Sequence, residues 1–250
     1  NVSYVPNGSP EERTLRLATW YPTEDTSGIE TRYLDLFEAP DVWDGAAPVS
    51  GPFPLLIYSH GHLGFAEASG GLMSFMASHG FVVAAPDHTG NTTFDSSSRD
   101  TAIYYKRMYD ISATLDELES TSPSELTDEV WGIGHSFGGY TTHGLAGAEY
   151  DMSTLRDNCE PGTSGDAICS DWSDEADAIF AGGLRDDRIG GFISMAAGDV
   201  DRFGIPGLQA IEPPVLMMDG ELDPATGGSA DTLWDGLQGG DSRRVHILGG

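Results

Sequence analysis

The sequence predicts an α/β protein with one mostly parallel sheet and helices on both of its faces. Three observations predict it. From residue 53 onward, strand-like runs alternate with helix-period segments. Those runs are apolar at successive positions, which suits strands covered on both sides. Three chemically loaded segments, His60 to Gly64, Gly134 to Gly138 and Asp219 to Asp223, each follow such a run. Sites in open parallel sheets collect at the carboxyl ends of the strands.

In chain order, residues 1 to 11 read as a loose polar lead-in. Thr14 to Tyr21 alternates and stops at Pro22, the pattern of an antiparallel edge strand. Residues 22 to 52, rich in Pro, Gly and acid, read as a long surface loop with about one turn of helix. Phe53 to Ser59 is a buried strand, Ala66 to Ser78 a helix stopped by Gly80, and Phe81 to Ala85 a buried strand closed by Pro86. Asp87 to Asp100 is a polar loop. Thr101 to Leu118 is an amphipathic helix with Ile103, Met108, Ile111 and Leu115 on its apolar face. A strand from Val130 to Gly134 leads into a helix ending near Gly147. Residues 148 to 187 break the rhythm and read as an insertion over one end of the sheet, helical only around Ala176 to Phe180. Strands follow at Gly191 to Met195 and Pro214 to Met218, then a helix from Ala230 to Leu237 and a last strand from Arg244 to Leu248. At 250 residues, one domain spanning 1–250 is expected.

The chain carries 40 acidic against 12 basic residues, a net charge of −28, and Lys106 is its one lysine. Such a surface repels nucleic acid and anionic membranes. Two sources stay open: a halophilic or marine one, where salt screens self-repulsion, and an ordinary acidic secreted protein. No run approaches the ~20 apolar residues of a membrane span. The chain opens on Asn1, so a processed or trimmed product is expected and missing targeting signals say little. For Cys159 and Cys169 a loop-closing disulfide is favoured over a metal site, since no His or further Cys joins them. That points to the periplasm or the cell exterior, with two free thiols in a cytosolic protein as the alternative.

Gly134-His135-Ser136-Phe137-Gly138 is the candidate site. A Gly-x-Ser-x-Gly run between strand and helix patterns is the form of a nucleophile elbow, with the serine on a strained corner. The plainer reading is a Gly-rich turn with a chance serine. A serine nucleophile needs a base, and the base needs an orienting acid. Asp223 is the first candidate acid, because it follows a buried strand in a turn; Asp199 is the reserve and Asp219 the third. The oxyanion hole would take the N–H of Phe137 and that of His62, beside Gly61. The base is missing. His246 lies within the last strand and reads as structural. His135 should project away from Ser136, and His88 and His143 lie in the wrong loop or within a helix. His60 and His62 lack a third partner at metal spacing. No cofactor is expected.

The segments Tyr58 to Gly64, Ser78 to His88 and Gly134 to Gly139 together resemble the platelet-activating-factor acetylhydrolase and predicted dienelactone hydrolase branch of the α/β-hydrolases. Bacterial polyester hydrolases are more distant relatives. The Cys-containing insertion followed by Arg188 to Gly191, and Pro214 to Leu216 leading to Asp223, are similar to that branch as well. The resemblance covers most of residues 12 to 250. It implies the α/β-hydrolase fold and ester hydrolysis through an acyl-serine. Ser136 would attack, Asp223 would orient the histidine, and the amides of His62 and Phe137 would hold the oxyanion. Dienelactone hydrolases in the strict sense use cysteine at this position, so the dienelactone label names no substrate here. The family histidine follows a Gly-rich pair after the last strand. The pair here is Gly249-Gly250, so the base is expected just past Gly250.

The expected activity is therefore hydrolysis of small or short-chain acyl esters, with polyesters as a further substrate form. The alternatives are a catalytically silent binding protein on the same fold, suggested by the absent base, and an amide or peptide hydrolase.

Overall fold

The computed structural model describes residues 1–95, 99–162, 165–237 and 241–249, without the side chains of 227–229. Three segments that the sequence marks as lead-in, edge strand and loop all carry strands. β1 (Val2–Tyr4) pairs antiparallel with β2 (Arg13–Leu15), so the lead-in is not loose. Val2 and Leu15 are buried there against Ala113, an apolar anchor too short to show a period. β3 (Leu17–Trp20) runs antiparallel to β7 (Val82–Pro86) as the edge of the main sheet. Residues 22–52 contain a hairpin, β4 (Glu30–Tyr33) and β5 (Phe37–Trp43), instead of a loop with a helical turn. Its turn uses Leu34 and Asp35 at positive φ (55° and 57°) with no glycine, so the usual turn signal is absent. Tyr33 holds the hairpin down by accepting the Trp20 indole N–H at 2.9 Å and donating to the Gly70 carbonyl at 3.4 Å.

The main sheet has seven strands in the order β11-β10-β9-β8-β6-β7-β3, parallel except for β3. The remaining elements, in chain order, are β6 (Phe53–Ser59), α1 (Gly70–Ser78) after a 3-10 turn at Ala66–Ser69, and then β7. α2 (Thr101–Thr121), β8 (Leu126–His135), α3 (Phe137–Leu145), α4 (Met152–Asn158) and α5 (Asp174–Gly182) follow. β9 (Gly191–Met195), α6 (Gly204–Leu208), β10 (Val215–Gly220), α7 (Gly227–Gly236) and β11 (Arg243–Ile247) complete the chain. Alternate strand residues feed two cores, which explains the unbroken apolar runs. Leu55, Ile57, Val82, Ala84 and Phe192 pack with α2 and α3, while Leu56, Tyr58, Val83, Ala85 and Ile133 pack with α1.

α2 begins at Asp100, whose carboxylate accepts the Ile103 N–H at 2.9 Å. All four of its expected apolar positions are buried. The insertion is more helical than expected. Its Leu155, Ile168, Ala176 and Phe180 join the core beside α2, and Phe180 stacks on Trp172 with centroids 5.6 Å apart. Cys159 and Cys169 form a disulfide across it. No helix among the described residues is long and apolar enough to cross a membrane.

Candidate active site

β8 ends at His135 and α3 begins at Phe137, so the chain reverses on a single residue. That residue, Ser136, has φ 55° and ψ −117°, a backbone conformation that costs on the order of 1–3 kcal/mol and is kept only where the surroundings enforce it. The surroundings are visible. Ser136 N–H donates to the Met195 carbonyl on β9 at 2.9 Å, and its carbonyl accepts from Gly139 (2.9 Å) and Gly198 (3.1 Å). A Cβ on Gly134 would overlap the Gly138 carbonyl, and one on Gly138 would overlap the Ser59 carbonyl at the end of β6. Both glycines of the motif are thus sterically required.

The His60–Gly64 loop after β6 lies against the elbow. A Cβ placed on Gly61 would stand 3.3 Å from the Ser136 Cβ. Gly61, His62, Gly70, Leu72, His135 and Ser136 help line one open cavity of about 590 Å³. Two larger hollows, about 740 and 670 Å³, lie away from Ser136, beside Arg188 at one end and under the hairpin. The smaller cavity is the one that Ser136 lines, which makes it the candidate site. Arg99 and Arg107 both lie over the Phe137 ring, 4.1 and 4.7 Å from its centroid, and put positive charge next to the backbone that enters α3.

The three candidate acids differ in their partners. Asp223 follows β10 and accepts the N–H of Ala225 at 2.8 Å, the N–H of Thr226 at 3.2 Å and the Thr226 hydroxyl. The Thr226 hydroxyl, then the Ala225 N–H, hold its carboxyl below the usual carboxylate range. Among the described residues no Arg or Lys pairs with it. Asp199 is ion-paired to Arg99 and Arg202. Asp219 lies within β10, gripped by the Arg244 fork at 2.8 and 2.9 Å and by His246 Nδ1 at 2.6 Å. Asp223 and Ser136 lie at the carboxyl ends of β10 and β8, with β9 between them. Two strand spacings make about 10 Å, close to the ~8 Å spanned by an imidazole with a hydrogen bond on each side.

Among the described residues no histidine is hydrogen-bonded to Ser136 or Asp223, although His135 is near enough to Asp223 to help lower its carboxyl. His246 sits on β11, three strand spacings or about 14 Å from β8, with its ring held by Asp219. His143 is buried, donating to the Gly139 carbonyl at 2.6 Å. His135 lines the same cavity as Ser136, and its Nδ1 and the Ser136 Cβ stand 3.4 and 3.3 Å from a Cβ placed on Gly61. Gly250, the second of the closing glycines, lies outside the described residues.

A second serine–histidine–aspartate series runs behind the elbow. Ser59 Oγ is 2.9 Å from His88 Nε2, and His88 Nδ1 is 2.8 Å from Asp110. All three are buried at 1% exposure or less, so no substrate reaches them. Arg13 and Tyr4 also bind Asp110, at 2.6 and 2.5 Å. Burial pushes the Asp110 carboxyl up, but the Arg13 and His88 bonds outweigh it and bring it down to about 2. Sequence reasoning missed this network and Arg107 beside it. The signal was present: Arg107 stands in the stripe Ile103, Ile111, Leu115, where a solvated charge does not belong.

The strand order, the crossing helices and the elbow define an α/β-hydrolase-fold protein. A family model described as chlorophyllase matches residues 44–156. The ferulic acid esterase from Streptomyces cinnamoneus superposes with a TM-score of 0.62 at 20% identity, over 94% of this chain and 66% of that one. This chain therefore spans just under two thirds of that esterase's length. Est1E from Butyrivibrio proteoclasticus, with ferulic acid bound, gives 0.54 at 15% identity over 94% and 86%. A dienelactone hydrolase-like promiscuous phosphotriesterase from metagenomic libraries gives 0.51 at 18% over 80% and 72%. No curated protein sequence matches the chain. The chain has the α/β-hydrolase fold, and over residues 44–156 it is similar to the chlorophyllase family.

Proposed function

We propose that this protein is a serine hydrolase of carboxylic esters, acting through an acyl-serine intermediate on small or short-chain acyl esters, polyesters included. The observation that carries this is Ser136 at φ 55°, ψ −117° between β8 and α3, facing the Gly61–His62 loop across one cavity. Ser136 Oγ attacks the ester carbonyl while its proton passes to a histidine. The negative oxygen that forms is held by the N–H groups of His62 and Phe137. The intermediate collapses, the histidine returns the proton to the departing alcohol, and water then hydrolyses the acyl-serine by the same route. Asp223 is the acid that orients this histidine. The chlorophyllase family match and the esterases among the similar structures support the reading. The disulfide favours work outside a reducing compartment.

The test is a panel of p-nitrophenyl esters and matching anilides with the full chain and its Ser136→Ala form. Ester turnover that disappears in the variant is expected. Turnover equal to the variant background would leave a silent binding protein. Anilides cleaved as fast as esters would move the assignment to amide hydrolysis.

A further inference from the structure

Arg107 is fully buried and, among the described residues, pairs with no carboxylate. Its hydrogen-bond acceptors among the described residues are neutral oxygens: Thr141 Oγ1 at 3.1 Å, Asn91 Oδ1 at 2.8 Å, Ser59 Oγ at 3.1 Å, and the His60 carbonyl. Such a cation costs stability, and burial pushes it down to about 9. What it holds is specific. The His60 carbonyl fixes one end of the His60-Gly61-His62 segment. Asn91 fixes the other, because its Nδ2 lies 2.8 Å from His62 Nδ1. Thr141, which also donates to the Phe137 carbonyl at 3.1 Å, ties the same guanidinium to the first turn of α3.

The hydrogen-bond roles follow without freedom of choice. A guanidinium only donates, so the Asn91 oxygen must face Arg107. The Asn91 NH2 must then face His62, so His62 Nδ1 accepts and the ring proton sits on Nε2. Burial and Arg99 lower the basicity of His62 and keep it neutral.

We propose that Arg107 is the positioning residue of the oxyanion-binding segment: it anchors the His60 carbonyl and, through Asn91, sets His62 as the Nε2–H tautomer, a side-chain donor at the cavity wall. This rests on the ester-hydrolase reading. In that reading the Gly61–His62 peptide and the Phe137 amide point at the developing oxyanion because one buried cation ties both segments together. The His62 ring adds a neutral N–H that needs no proton from solvent.

Asn91→Asp is the decisive variant. It keeps shape and the Arg107 contact but replaces the donor to His62 with an acceptor, so the ring must carry its proton on Nδ1. Arg107→Met, the obvious variant, risks unfolding and is read only beside its melting curve. In the full chain, 15N NMR of the His62 ring should report Nε2–H in the wild type and Nδ1–H in Asn91→Asp. With p-nitrophenyl butyrate, kcat should fall about tenfold or more in Asn91→Asp while KM stays within about threefold. A wild-type ring protonated on Nδ1 overturns the proposal, whatever the activity. So does a tautomer change that leaves kcat intact, or a loss confined to KM. No turnover above Ser136→Ala in the wild type would instead remove the hydrolase reading, and the NMR result would still decide the tautomer.

Discussion

Gly138 lies so close to the carbonyl of Ser59 that a Cβ on it would overlap the oxygen. This contact joins the first turn of α3 to the end of β6, and so brings the Gly61–His62 loop beside Ser136. Gly138→Ala must separate the two segments. The expected loss is about 3 kcal/mol or more, since neither neighbour is a flexible side chain. Urea denaturation reads it. A variant with unchanged midpoint and unchanged ester turnover would mean that the elbow is not built on this contact.

Asp223 is set apart from the other two candidate acids by its hydrogen-bond partners among the described residues, the Ala225 and Thr226 N–H groups and the Thr226 hydroxyl. Asp223→Asn should lower kcat by about two to four orders of magnitude, by analogy with orienting carboxylates elsewhere. Asp199→Asn removes a partner of Arg99 and Arg202 instead, and should retain most of the turnover. The reverse ranking in steady-state kinetics would move the acid to the end of β9.

Buried histidines fix how stability depends on pH. Burial, then Arg107, push His88 down to about 3, and burial pushes His143 down to about 4. Both lie below the unfolded value near 6.5, so the unfolded chain binds more protons in the window between. Their contribution is complete above about 6.5 and is lost as pH falls from there. Within the window each group removes up to about 1.4 kcal/mol per pH unit. Denaturation midpoints measured from pH 7 to pH 5, above most carboxyl titration, should fall steadily. His143→Phe should shallow the slope, and a flat profile in the wild type would show that neither ring is held neutral.

The net charge of −28 predicts a salt response. Screening of self-repulsion should raise the melting temperature between low salt and molar potassium chloride. A flat or falling curve would make the acid a solubilising feature rather than an adaptation to salt.

Much of the architecture was legible because buried parallel strands cannot hide. Leu55 to Tyr58 and Val82 to Pro86 are apolar at successive positions since both faces are covered. The hairpin at 30–43 was not legible, because its turn is made by Leu34 and Asp35 and its hold on the body comes from Tyr33 against Gly70. The helices of the insertion were faint for a similar reason: they are short, and contacts with α2 stabilise them more than any period of their own.

The sequence by itself determined the α/β class, the position of the elbow and the identity of the serine on it, because these depend on local steric and hydrophobic patterns. Only the tertiary structure decided which aspartates were already neutralised, which histidines were buried out of reach, and that Arg107 ties the His60–His62 segment to α3. Those are relations between residues tens of positions apart, where each partner's meaning comes from what folding places beside it.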